Sequence, residues 1–363
     1  MDAINARTRS IVFGGGGTAG SVTPLLAVAE QLQRRRAARC VFVGTARGPE
    51  RTLVRAAGFA FVAIPAGKLR RYRSWSNVVD VFRAAAGLVA SVRLLRREKP
   101  DVVVGAGSYV SVPLGWAARA LGIPVLIHQP DVLPGLANRL LARFAQTITV
   151  TFPQVQKRFP AGRTIVTGNP VRAAVVAGDR ERGRARFSVP PGRPVVLCLG
   201  GGTGALTLNR LIASAAPAIS SRASLIHVTG VGKAPAVEPV AGYQPVAFLT
   251  TDLPDVLAAA DVVVSRAGLG TLSELAALRK PVIVVPLPDS HQEANAKYLA
   301  EAQAALILDQ STLTPDGVVA AVRTLLDDRV QRTSLGTRLH DLIPNGTASV
   351  ANEVLTLTKR APV

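Results

Sequence analysis

The sequence predicts an α/β protein of two tandem, doubly wound, Rossmann-like domains facing a shared cleft. Three observations predict it. Short apolar strands alternate with glycine turns and helix-like stretches, the same pattern restarts after a break near residue 168, and 363 residues exceed one ordinary core. Hydrophobic residues make up 48% of the chain with mean hydropathy +0.29, which indicates a folded protein and excludes a disordered one.

The elements follow in order. Ile11–Phe13 is a strand entering GGGGTAG and the helix-like TPLLAVAEQLQRRR, and Cys40–Val43 is a second strand. Asp101–Val104 leads into GAGSYVSVP and the helix-like LGWAARALG, and Ile123–Ile127 into HQPDVLPGLANRLLARFA. Thr164–Gly168 is a short strand, and the proline-, glycine- and arginine-rich GNPVRAAVVAGDRERGRARFSVPPGRP after it reads as a break. Pro194–Leu199 with GGGTGA and a helix restarts the pattern, followed by SLIHVTG, QPVAFL and DVVVSRAGLGTLSELAALRKPVIVVPLPDSHQEANA. The expected domains are residues 1–167 and 168–345. A last helix within 346–360 is able to pack back on the first domain or on the second. Ligands of open parallel sheets bind beyond the carboxyl ends of the strands, so the functional residues are sought there.

Cys40 and Cys198 lie in apolar strand-like runs and read as reduced core residues. The start MDAINARTRS has no apolar signal region, and no apolar run approaches the roughly 18 residues that span a bilayer. A cytosolic location is expected. The net charge of +20 is uneven: residues 1–160 hold 23 basic and 7 acidic side chains. That asymmetry points to an anionic partner for the first half. KLRRYRSWSNVVDVFRAAAGLVASVRLLRREK joins arginines with Tyr72 and Trp75 ahead of an apolar helical run. It suits a membrane interface, or a basic surface loop before an ordinary amphipathic helix; nucleic acid ranks behind both.

The turn RAGLGTLSE places helix-start N–H groups beside one carboxylate, Glu274. Such a turn suits a nucleotide diphosphate with its ribose; equally, Thr271-x-x-Glu274 is a capping box. Gly15-x-Gly17-x-x-Gly20 formally matches a dinucleotide fingerprint, but the acidic residue expected after the second strand is missing from VFVGTARG. An NAD or flavin enzyme is disfavoured, while phosphate cradling remains. Gly200 to Ala205 forms a similar loop, and neither loop ends in the Lys-Ser/Thr of an ATP phosphate loop. No Asp-x-Asp occurs and the four histidines are scattered, so a metal site has no support in the sequence. His128, His291 and Gln292 follow strands, where functional loops gather.

In order and spacing these segments resemble the bacterial MurG glycosyltransferases. The pieces are GGTAGSVTPLLAVAE, DVVVGAGSYVSVP, GIPVLIHQPDVLPGLANRLLARFA, VTGNPVR, LGGGTGALTLN and the segment from Asp261 with HQEANA. The resemblance implies the glycosyltransferase B architecture and inverting transfer of N-acetylglucosamine from UDP-GlcNAc to undecaprenyl-diphospho-muramoyl-pentapeptide, lipid I to lipid II. It implies no cofactor or catalytic metal, and peripheral attachment to the cytoplasmic side of the inner or plasma membrane. Partners would be UDP-GlcNAc, the undecaprenyl-linked acceptor and an anionic membrane surface, with no nucleic acid. By the same resemblance Arg172 approaches the diphosphate and Leu249 offers backbone contacts to uracil. Leu269, Gly270, Thr271, Leu272 and Ser273 meet the phosphates, Glu274 the ribose and Gln292 the sugar. Thr18, Ala19 and Gly20 lie by the reacting centre, and Gly105, Gly107, Ser108 and Tyr109 take the acceptor diphosphate.

The departures from the family pattern cluster at the chemistry. A family histidine, a favoured base, is Ser21 here, whose hydroxyl is too weakly basic to replace imidazole. His-Glu-Gln-Asn becomes His128-Gln129-Pro130-Asp131, and the serine of the second glycine loop is Gly202. Two expectations follow: Asp131 or His128 serves as base in a lipid II synthase, or the chain is a divergent paralogue using another sugar or lacking activity.

Overall fold

The computed structural model describes residues 9–17, 19–67, 75–201, 205–236 and 238–360. The chain divides into two compact units, Met1–Arg172 with Asn345–Val363, and Ala173–Pro344. The first unit begins with β1 (Arg9–Gly14), α1 (Ala19–Arg34), β2 (Ala38–Gly44), α2 (Glu50–Ala56), β3 (Ala60–Ala63) and α3 (Trp75–Glu98). It continues with β4 (Val102–Gly105), α4 (Ser111–Ala120), β5 (Val125–Gln129), α5 (Leu136–Leu141), β6 (Thr147–Val150), α6 (Pro153–Gln156) and β7 (Thr164–Val166). Its seven strands are all parallel, in the order β3-β2-β1-β4-β5-β6-β7. Parallel strands are covered on both faces and therefore read as unbroken apolar runs. Val102, Val103 and Val104 are accordingly all buried, and the rings of Phe13 and Phe42 stack at 5.0 Å within the core.

Helix α1 starts at Ala19, a turn earlier than Thr23, and runs through Pro24. Proline has no N–H to return to the carbonyl of Gly20, so the helix tolerates one lost bond where a start was expected.

The second unit runs α7 (Ala173–Val176), α8 (Arg180–Arg186), β8 (Val195–Leu199), α9 (Leu206–Ser220), β9 (Ser224–Val228), β10 (Tyr243–Val246) and α10 (Leu253–Ala259). Then come β11 (Val262–Ser265), α11 (Leu269–Ala277), β12 (Val282–Val284), α12 (His291–Glu301), β13 (Leu306–Ile307), α13 (Pro315–Asp327) and α14 (Arg329–Leu342). Its strands are again parallel, ordered β10-β9-β8-β11-β12-β13. The stretch expected to be a break is helical: α7 and α8 pack on α10. A Cβ on Gly183 would lie 2.1 Å from the Asp255 carbonyl oxygen, so glycine permits this close approach.

The division between units falls after Arg172, not after residue 167. Asn169 is tied to His128 at 2.8 Å, the Val171 N–H donates to Thr347 Oγ1 at 2.9 Å, and Arg172 pairs with Glu30 at 2.8 Å. The final helix, α15 (Thr347–Arg360), belongs to the first unit, where Val350, Ala351, Val354 and Leu357 join its core against α1. Cys40 and Cys198 are free and buried, and burial pushes the Cys40 thiol up to about 12. Among the described residues no helix is long and apolar enough to cross a membrane.

Candidate active site

Each sheet reverses its strand order once, between β1 and β4 in the first unit and between β8 and β11 in the second. Crevices at such reversals, beyond the carboxyl ends of the strands, are the natural ligand sites of open α/β sheets.

In the first unit the loops after β1 and β4 interlock. Ser111 Oγ donates to the Gly14 carbonyl at 2.8 Å, and Ser108 Oγ lies 3.3 Å from Ser111 Oγ. Gly17 has φ +84°, and a Cβ there would fall 2.5 Å from the Tyr109 ring. Glycine thus serves both the turn and the seating of tyrosine. Gly107, at φ +77°, lies against the Asn138 amide, and Gly105 packs on Ser111. Gly20 is exposed on the first turn of α1, and Ser21 Oγ donates to the Gly16 carbonyl at 3.3 Å. The fold therefore gathers Gly20, Ser21, Gly105, Gly107, Ser108 and Tyr109 at one switch point. Ala19 opens α1, while Thr18 lies outside the described residues, as do Tyr72 and Gly202.

Against Gly16 sits Glu50, fully buried, a residue without a role in the sequence analysis. Its Oε1 accepts from the Thr45 N–H at 2.8 Å and from Thr45 Oγ1 at 2.6 Å. Thr45 in turn hydrogen-bonds Tyr109, whose phenol is raised mainly by burial and also by the Glu50 charge. A Cβ on Gly16 would come within 2.7 Å of Glu50 Oε1, so the glycines of the first loop make room for this carboxylate.

His128 is not placed to act as a base. It is 1% exposed, with Nδ1 2.9 Å from Thr149 Oγ1 and Nε2 2.8 Å from Asn169 Oδ1. Burial pushes its pKa down to about 4, opposed in part by Asn169. Both nitrogens are spent inside the unit, so the ring locks β5 to β6 and to residue 169. Gln129 fixes the following loop, donating to the carbonyls of Asp131 at 2.8 Å and Leu133 at 3.2 Å, while Asn138 Nδ2 donates to Gln129 Oε1. Asp131 is half-buried on that loop. Arg172 lies in the first unit, with Nε donating to Glu30 Oε1 at 2.8 Å.

In the second unit α11 begins directly after β11, with Gly268 as N-cap and no side chain capping it. The capping box is absent: Thr271 is already the third helical residue, and Glu274 lies a turn inside. Leu269, Gly270 and Thr271 occupy the first turn, where backbone N–H groups precede the helical ladder. The Leu272 N–H, by contrast, donates to the Gly268 carbonyl at 3.0 Å, and Ser273 Oγ turns back to the Leu269 carbonyl at 2.6 Å. Neither is an anion donor. A Cβ on Gly268 would meet nothing within 4 Å, so the helix start opens onto free space.

Two buried side chains hold this start. Asn295 Nδ2 donates to the Ala267 carbonyl at 3.0 Å, drawing α12 against the turn. Arg266, 6% exposed and not singled out from sequence, sends Nη1 to the carbonyls of Val285 at 3.1 Å and Pro286 at 3.0 Å. Its Nη2 reaches Gln310 Oε1 at 2.5 Å. Gln292, on the first turn of α12, accepts the Leu287 N–H through Oε1 at 3.1 Å, and among the described residues no acceptor takes its amide N–H groups. Leu249 is buried in the turn before α10, beside the half-exposed Phe248. Among the described residues no three His, Cys, Asp or Glu side chains converge as a metal site.

The N-terminal domain of glycosyltransferase family 28 matches residues 11–150, and its C-terminal domain matches residues 195–341. A relative from Desulforudis audaxviator, named UDP-N-acetylglucosamine–N-acetylmuramyl-(pentapeptide) pyrophosphoryl-undecaprenol N-acetylglucosamine transferase, is 40% identical over 335 residues, 88% of this chain and 90% of its own length. A Lachnospira eligens protein of the same name is 36% identical over 328 residues, 89% of this chain and 92% of its own. Among solved structures, MurG of Acinetobacter baumannii superposes with TM-score 0.70 at 28% identity, covering 96% of this chain and 99% of that one. The calicheamicin glycosyltransferase CalG4 shares the fold, with TM-score 0.71 at 19% identity over 98% of this chain and 100% of its own. With both family domains matched in order across a two-unit α/β fold, the chain belongs to glycosyltransferase family 28, as a member of its MurG group.

Proposed function

We propose that the protein transfers N-acetylglucosamine from UDP-GlcNAc to an undecaprenyl-diphospho-muramoyl-pentapeptide acceptor, converting lipid I to lipid II in peptidoglycan synthesis. The observation that carries this reading is the uncapped start of α11, with Glu274 one turn inside it and Gln292 on the helix that Asn295 draws alongside. The N–H groups of Leu269, Gly270 and Thr271 receive the donor diphosphate with the helix dipole behind them. Glu274 accepts from the ribose hydroxyls, Gln292 donates to the sugar, and the backbone at Leu249 pairs with uracil. The acceptor diphosphate lies against Gly105, Gly107, Ser108 and Tyr109.

In the transfer, the acceptor hydroxyl oxygen forms a bond to the anomeric carbon as the bond to the UDP oxygen breaks, with inversion. The hydroxyl proton passes to Asp131, the carboxylate that remains once His128 is assigned to the interior. The electron pair of the broken bond leaves on UDP, whose charge the α11 donors stabilise without reorganisation.

Attachment to the cytoplasmic face of the membrane is part of the proposal. Phe82 is 71% exposed on α3, Trp116 46% on α4 and Leu136 55% on α5, and α4 packs against both its neighbours. These three faces sit in the strongly basic unit, the combination that seats a peripheral protein on anionic lipid.

Radiolabel transfer from UDP-GlcNAc to a short-chain lipid I analogue by the full chain tests the reading. Labelled product is expected, and Asp131→Asn should lower kcat by about 100-fold or more if it is the base. Binding of UDP-GlcNAc with no product from any lipid-linked muramoyl acceptor would leave the divergent, or inactive, paralogue in its place.

A further inference from the structure

The second unit has a cavity of about 630 Å³ unrelated to the start of α11. Pro194, which precedes β8, and Asp261, which precedes β11, both line it. It therefore lies at the amino ends of the strands, while the loops described above follow their carboxyl ends. Four guanidinium groups line it, from Arg180, Arg184, Arg193 and Arg332, against the two carboxylates of Glu181 and Asp261. Among the described residues Arg180 alone of the four forms a salt bridge, with Asp261 at 2.8 Å, while Arg332 also feels the Asp327 charge.

Arg184 is 8% exposed and, among the described residues, bonds only neutral acceptors, the carbonyls of Arg193 at 3.0 Å and Pro190 at 2.7 Å. A guanidinium so placed has its hydrogen bonds but no opposing charge. Arg193 spends Nη2 on the carbonyls of Ser220 and Ala223, and Arg332 spends Nη1 on those of Leu325 and Leu326. Capping the ends of α9 and α13 explains one arm of each fork. The other arms, Nη1 of Arg193 and Nη2 of Arg332, have no protein acceptor among the described residues. Nearby, the Lys280 amine, bonded to the carbonyls of Ala258 and Ala260, is pushed down to about 8 mainly by burial and less by the Arg180 charge, with Asp261 opposing.

We propose that this arginine-lined cavity binds a phosphate or diphosphate oxyanion, at a site separate from the one that takes the sugar nucleotide. The remaining arms of Arg193 and Arg332 offer charged N–H groups to tetrahedral oxygens, and Arg184 supplies buried charge beside them. The site needs no nucleoside, and it stands whether or not the transferase reading holds.

The test is calorimetric titration of inorganic pyrophosphate into the full chain at low salt, with and without saturating UDP. With UDP saturating, one equivalent should still bind, and Arg193→Gln and Arg332→Gln should each weaken that binding about tenfold or more. Labelling of the unaltered protein with phenylglyoxal, read by peptide mass spectrometry, does not depend on the folding of a variant: pyrophosphate should protect Arg193 and Arg332. Protection by phosphatidylglycerol vesicles in place of soluble pyrophosphate would assign the oxyanion to a lipid headgroup. Loss of the pyrophosphate heat under UDP, or arginines labelled equally with and without pyrophosphate and vesicles, would overturn the proposal.

Discussion

His128 lies within β5 and Gln292 on α12, and their side chains meet opposite demands. Among the described residues no acceptor takes the Gln292 amide N–H groups, whereas both nitrogens of His128 are bound within the first unit. The difference has a pH signature. The His128 pKa falls from 6.5 in the unfolded chain to about 4 in the folded one, because burial disfavours the cation. The unfolded state therefore binds the extra proton between those values. Stability is complete above pH 6.5, is lost as pH falls towards 4, and levels off below; the loss from this residue is about 3 kcal/mol. His227, buried against Tyr243 and Asn209 and also near 4, adds a loss of the same sign in the second unit. Urea unfolding at pH 7 and pH 5 should show the drop, and His128→Gln should reduce its slope while lowering stability at pH 7. An unchanged slope would place the proton elsewhere. Glu274→Ala gives a purely functional contrast: it should raise KM for UDP-GlcNAc by about 10- to 100-fold, the value of a hydrogen bond to a charged group, with little change in Tm. An unaltered KM would separate Glu274 from the ribose.

At the scale of elements, the start of α11 illustrates stability set against binding. Gly268 has φ −80° and ψ 125°, and its Cβ direction is open, so Gly268→Asp fits without strain. The new carboxylate would cap the helix and interact well with its dipole, and Tm should rise by the equivalent of a few tenths to 1 kcal/mol. The same carboxylate would occupy the place of the donor diphosphate, so UDP-GlcNAc turnover should collapse. A variant both more stable and fully active would show that no phosphate sits there. Sequence made this element legible as strand, glycine turn and helix, since VVV and the glycines act locally. It did not reveal which residue is the N-cap, because that depends on where β11 ends; hence Thr271-x-x-Glu274 resembled a capping box. Helices α7 and α8 were illegible for a related reason. The glycines and prolines of the surrounding stretch argue against helix, and what supports these helices is remote: Gly183 against the Asp255 carbonyl, Arg182 on Asp255 and Arg186 on Asp252. The burial of His128 likewise depends on Asn169, a partner 41 residues away.

Across the whole molecule the basic charge is sharply partitioned. The first unit holds 27 basic and 8 acidic residues, while the second holds 16 and 15. An arginine-rich composition would raise both units alike, so the partition favours the proposed anionic partner of the first unit over a compositional cause. Nucleic acid is a poor match for the exposed Phe82, Trp116 and Leu136, whose burial in a lipid interface would add an apolar contribution to the electrostatic one. The two contributions separate experimentally. Co-sedimentation with phosphatidylglycerol vesicles should weaken steeply as salt rises, since each basic group near an anionic surface contributes about 1 kcal/mol and is screened. With Phe82→Ser and Leu136→Ser combined, binding should fall about tenfold or more at every salt concentration, while the slope against salt persists. Because both side chains are exposed, Tm and turnover of a detergent-dispersed acceptor should be kept. Unchanged vesicle binding in the double variant would leave charge alone as the attraction and remove these helices from the membrane-facing surface.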